Sequence, residues 1–136
     1  MVKTVKKAVL LLSFIMIAMD GFAQRNDQAV GRQTEMEFTE TEHSFGVVAE
    51  SDRRVSHTFR FMNTGDRPIV IKRIVVTCRC VSYDFSKKPV APGDTGEITV
   101  TFNPRRQSGV FYKVVQVFAN TAEELHLLIV RGEVVK

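Results

Sequence analysis

The chain has 136 residues, 44% of them hydrophobic and 25% charged, with a net charge of +4, two cysteines and no tryptophan. That length suits one domain with one core. Two cysteines exclude a disulfide-rich scaffold, and a charge this mild argues against nucleic acid as the partner.

The N-terminus has the pattern of an export signal. Lys3, Lys6 and Lys7 precede the uncharged apolar run Ala8 to Met19, and Gly21-Phe22-Ala23 puts small residues where a signal peptidase reads. Residues 1–23 are therefore expected to be a cleaved signal peptide. The twelve-residue run is too short for a spanning helix, which needs about 20 residues. No cysteine follows it to accept a lipid. The expected product is exported, periplasmic or extracellular, neither membrane-spanning nor lipid-anchored. Cleavage removes three lysines and Asp20, lowering the net charge from +4 to +2.

Residues 24–34 are polar and aperiodic and are expected to form a flexible leader. From Glu35 onward, apolar and polar residues alternate with a period of two, interrupted by turn residues every ten positions or so. Expected strands run Met36 to Thr39, His43 to Val48 with a kink or strand switch at Gly46, and Val55 to Asn63. The turn Asn63 to Pro68 leads into a long strand, Ile69 to Ser82. After the turn cluster Pro89 to Asp94 come Glu97 to Phe102, Val110 to Ala119 and Leu125 to Val135. In the long strand, alternation puts Lys72 and Arg73 on opposite faces, so one meets the core unless the strand bulges. Residues 35–136 are thus expected to be all-β: an immunoglobulin-like antiparallel β-sandwich of about seven strands.

Several short motifs follow one another in order: His43-Ser44-Phe45-Gly46, His57-Thr58-Phe59-Arg60-Phe61-Met62-Asn63-Thr64-Gly65, Cys78-Arg79-Cys80, Pro92-Gly93 and Arg106-Gln107-Ser108-Gly109. Their order and spacing over about residues 37–134 resemble the secreted bacterial Ig-like family of unknown function numbered 1573. That family is in turn similar to sperm-protein-like and cilia-associated Ig-like domains. The resemblance implies an Ig-like sandwich and brings no established activity. It also shows a departure, since Arg79 stands where the family has glycine, which can take a bent or left-handed backbone at lower cost.

Cys78 and Cys80 are the candidate redox or metal residues. On a regular strand they would share a face with Ile74 and Val76, with Cα atoms about 6.6–6.8 Å apart. A disulfide needs Cβ atoms about 3.5–4.5 Å apart, so a bridge requires a bulge or strand end at Arg79. Packing or a structural bridge ranks first, thiol exchange second, and a soft-metal site third, with His43 and His57 the nearest further ligands. His57 is in phase with Phe59 and Phe61. His126 alternates with Leu125 and Leu127 and is expected at the surface.

No nucleophile elbow, phosphate loop or calcium loop is present, so the chain is expected to be neither an enzyme nor cofactor-dependent. The first functional expectation is a binding or adaptor module for a protein or glycan of the cell envelope. Its loop contacts would come from Asn63, Gly65 and Arg67 and from Arg105 and Arg106. The basic pairs Arg53-Arg54, Lys72-Arg73, Lys87-Lys88 and Arg105-Arg106 would suit an anionic partner, or simply solvated loops. The alternative is thiol-redox or soft-metal chemistry at Cys78-Arg79-Cys80.

Overall fold

A computed structural model describes residues 34–136, and the described residues contain strands, turns and loops but no helix. The expected signal peptide, and the leader up to residue 33, lie outside them. Thr34 is buried, and its carbonyl accepts from the Ala122 N–H at 3.0 Å. Among the described residues no helix is long and apolar enough to cross a membrane.

Eight strands are present: β1 (Met36–Phe38), β2 (Glu42–Ala49), β3 (Val55–Asn63), β4 (Ile71–Val76), β5 (Val81–Phe85), β6 (Thr95–Phe102), β7 (Gly109–Ala119) and β8 (Leu125–Val135). The first sheet has the order β1-β3-β6-β5 and the second β2-β8-β7-β4. The eighth strand arises because the expected strand Ile69 to Ser82 is two strands. β4 is the edge of the second sheet and β5 the edge of the first, and the chain changes sheets through Cys78-Arg79-Cys80. The sandwich is also not wholly antiparallel. β2 crosses over from β1 and runs parallel to β8.

The core follows the alternation. Phe59, Phe61, Ile98, Val100 and Phe102 of the first sheet face Val115, Val117, Leu128 and Val130 of the second, all essentially inaccessible to solvent. Each such side chain contributes about 1.5–3 kcal/mol by leaving water. The Phe102 and Phe111 rings stack across the gap with centroids 4.0 Å apart.

Two bulges adjust which residues face inward. The register of β4 on β7 shifts between Ile71 and Arg73. Both basic residues therefore stay outside, with Lys72 ion-paired to Glu124 at 3.0 Å and Arg73 lying 4.2 Å over the Phe118 ring. In β2 the register shifts between Ser44 and Val47 around Gly46, whose φ of 67° few other residues adopt. Phe45 and Val48 consequently both turn toward the core.

The phase of β8 is opposite to expectation at its start. Leu128 and Val130 are buried, and a strand has only two faces. His126 therefore shares their inward side, while Leu125 and Leu127 face outward. His126 is half-buried, 5.8 Å from the Phe38 ring, with Nε2 2.8 Å from Thr121 Oγ1. Burial holds its pKa below the usual imidazole value, partly offset by Glu123.

Candidate functional site

Cys78 and Cys80 are joined in a disulfide with Cα atoms 5.1 Å apart, closer than a regular strand allows. They do not lie on a strand. β4 ends at Val76, and the Val81 N–H donates to the Cys78 carbonyl at 3.1 Å, closing a tight turn with Arg79 and Cys80 at its centre. Arg106 is the only non-glycine residue with positive φ among those described. Arg79 therefore turns the chain without entering the left-handed region that would favour glycine. Cys80 is buried and Cys78 half-buried against the core. The pair is a staple at the sheet-to-sheet crossover. In this bonded form it presents no thiolates, so the four-residue ligand set of Cys78, Cys80, His43 and His57 is not assembled.

The two histidines are assembled instead with each other, at the opposite edge of the sandwich. β1 covers β3 only along Met36–Phe38, opposite Phe61 to Asn63. At the level of His57, β3 is thus an open edge of the first sheet, and β2 is the facing edge of the second. His43 from β2 and His57 from β3 stack across this gap with ring centroids 3.6 Å apart and planes within 5°. Phe45 and Phe59 close the apolar side, each meeting its neighbouring histidine edge to face. Glu40, from the connection between β1 and β2, reaches in and pairs its carboxylate with His57 Nε2. Burial and the adjacent His57 hold the His43 pKa below the usual imidazole value, and Glu40 opposes them. Glu40 carried no motif in the sequence.

The loop candidates divide between the two ends. Asn63 is 1% exposed. Its amide donates to the carbonyls of Arg67 at 2.7 Å and Val90 at 2.9 Å, and its Oδ1 accepts from Gly65 N–H at 3.0 Å. It shapes the turn that presents Gly65 and Arg67 rather than offering itself to a partner. At the other end, Arg53, Arg54, Asn103 and Arg105 line one depression. Beside it, Arg106 is held in the left-handed region, with its N–H donating to Glu50 at 3.2 Å. Two of the four basic pairs are thereby brought together.

The outer faces of the two sheets differ sharply. On the first, β3 and β6 present Ser56, Thr58, Arg60 and Met62 beside Thr95, Glu97, Thr99 and Thr101. Ser56 meets Thr101 at 2.7 Å, Thr58 meets Thr99 at 2.9 Å, and Arg60 pairs with Glu97 at 3.2 Å. On the second, Val47, Val110, Tyr112, Val114, Leu127 and Ile129 turn outward. Val110 is 83% exposed, Val47 69%, Tyr112 58% and Leu127 47%. Glu133, between Val47 and Val110, Arg131, paired with Glu42, and Arg73, over the outward Phe118 ring, bring charge into this field. Sequence reasoning missed this surface, and the signal was the inward phase of Leu128 and Val130.

Two sheets facing across a phenylalanine-rich core, with crossovers at both edges, define an Ig-like β-sandwich. The family described as "Protein of unknown function (DUF1573)" matches residues 36–134, and the chain belongs to it. No curated protein matches the chain. Among solved structures it is similar to a protein of unknown function from Porphyromonas gingivalis W83, at 14% identity and TM-score 0.65, covering 79% of this chain and 51% of that one. The chain thus spans about half the length of that relative. It is also similar to the ASH/PapD-like domain 7 of human CEP192, at 10% identity and TM-score 0.63, covering 76% of this chain and 87% of that one. A third likeness is to the Vibrio cholerae VesB protease, at 12% identity and TM-score 0.56, covering 76% of this chain and 32% of that one. At these identities the likeness is one of fold.

Proposed function

We propose that this chain is an exported, non-enzymatic adaptor module that docks a protein of the cell envelope onto the outer face of the β2-β8-β7-β4 sheet. The observation that carries this reading is the apolar field of Val47, Val110, Tyr112 and Leu127 on an outer sheet face, where the opposite sheet carries hydroxyls and charges around one exposed methionine, Met62. Contiguous exposed apolar surface marks interaction sites. Of the two partner classes, a protein fits better than a glycan. The field is mainly aliphatic, and of its two rings Phe118 is covered by Arg73, leaving Tyr112 as the one open aromatic platform. Export is supported by the signal-like N-terminus and by a disulfide, which belongs to oxidising compartments. The fold likeness to parts of longer chains agrees with a module.

Site-specific photocrosslinking in the producing cells tests this. Crosslinkers replacing Val47 or Val110 should yield adducts of one defined mass, and a crosslinker replacing Thr99 on the other sheet should not. No adduct, equal adducts at Thr99, or an adduct of twice the chain mass would overturn the reading. The thiol-exchange alternative has the bond between Cys78 and Cys80 in its favour. It requires a mixed disulfide with a partner protein to be trapped in a Cys80→Ser variant.

A further inference from the structure

We propose that Glu40, His43 and His57 form a site for a divalent transition-metal ion of borderline softness, with zinc as the reference ion. Three separate segments supply the donors: the β1–β2 connection, β2 and β3. Their ligand atoms all lie within 4.8 Å of one another. Two imidazoles and one carboxylate are a donor set suited to zinc, copper(II) or nickel, and unsuited to calcium or magnesium, which prefer oxygen. Ligands on one tetrahedral zinc lie about 3.3 Å apart, given metal–nitrogen bonds of about 2.0–2.1 Å, so the donors need only side-chain rotation to converge. The rings are parallel within 5°, so their in-plane lone pairs lie in parallel planes and do not meet. One ring must therefore turn about its Cβ–Cγ bond.

Glu40 lies on the solvent side of this edge, its side chain 46% exposed. Solvent there can supply the fourth ligand, leaving an open coordination position. The ion would take the place of the contact between Glu40 and His57 Nε2. It would also tie β2 to β3, which belong to different sheets and share no backbone ladder. Phe45 and Phe59 border the histidines on their core side and limit how far either ring can swing. The disulfide at the opposite edge takes no part.

The test is calorimetric titration of the untagged full chain with zinc, paired with thermal unfolding in the presence and absence of zinc. One zinc per chain should bind and raise the unfolding temperature, as any ligand specific to the folded state does. His43→Gln and Glu40→Gln, replacing a partly buried and an exposed side chain, should each weaken zinc binding by at least about tenfold, while unfolding without zinc near the wild-type temperature. A Cys78→Ser/Cys80→Ser variant should bind zinc as the wild type does. Absence of one-to-one uptake, equal uptake by the His43→Gln/Glu40→Gln double variant, or loss of uptake in the cysteine variant would overturn the site.

Discussion

The inner faces of the two sheets are alike, and the outer faces are not. Inside, phenylalanine and β-branched residues from both sheets are packed to near-zero exposure. Outside, the β1-β3-β6-β5 sheet pairs hydroxyl with hydroxyl and Arg60 with Glu97, whereas the β2-β8-β7-β4 sheet leaves Val47, Val110, Tyr112 and Leu127 in solvent. The core needs only one face of each sheet. An apolar second face adds nothing to the sandwich itself and increases the risk of association. The residues that stabilise the fold and the exposed apolar residues therefore lie on opposite sides of the same strands.

The largest effects belong to the core: Phe59→Ala should cost about 3–5 kcal/mol and Leu128→Ala about 2–5 kcal/mol, measured by urea unfolding. Comparable losses from the two sheets would confirm that the interior does not share the exterior's asymmetry, and a tolerated substitution in either would break that symmetry. Gly132→Ala comes next. Its Cβ would lie 2.6 Å from the Gly46 carbonyl oxygen and 2.8 Å from the Phe111 ring, a backbone neighbour that cannot step aside. A loss of about 1–3 kcal/mol is expected in the same assay.

The staple between the sheets should matter less. A bridge spanning three residues removes little denatured-state entropy, so Cys78→Ser/Cys80→Ser should lower stability by about 1.5 kcal/mol. A loss several times larger would show that the crossover is held by more than chain entropy. The smallest effect is that of pH. The folded-state pKa values of His43 and His126 lie below the usual imidazole value, so the unfolded chain binds more protons at these positions. Their contribution to stability is full above about pH 6.5 and declines as pH falls through the imidazole range. Thermal unfolding between pH 7.5 and 5.5 should show this decline, and it should shrink in His43→Gln. An unchanged decline in that variant would remove His43 from the account.

Much of the fold was legible because alternation is a local signal. Val55 to Asn63 and Glu97 to Phe102 form strands as the pattern predicts, and the paired basics Lys72 and Arg73 announced the bulge that keeps both outside. The long strand through the cysteines was misread because β-branched residues continue up to a turn that only the sheet crossover explains. The start of β8 was misread because Leu125 and Leu127 look like core residues in isolation. Leu128 and Val130 take the inward face, and strand geometry leaves the other leucines outside. The histidine cluster was only half legible. His57 was in phase with the core, but its partner His43 and Glu40 arrive from another sheet and a connection, a juxtaposition created by tertiary structure alone.

Whether the outer face of the β2-β8-β7-β4 sheet is covered in the cell can be measured directly. The chain contains two tyrosines, Tyr112 on that face and Tyr83 on β5 of the other sheet, 58% and 40% exposed respectively. Tyrosine-specific chemical labelling, compared by mass spectrometry between intact cells and purified protein, reads both at once. Tyr112 should be protected in cells and reactive when purified, while Tyr83 should react equally in both. Tyr112 labelled as readily in cells as in the purified chain would contradict it.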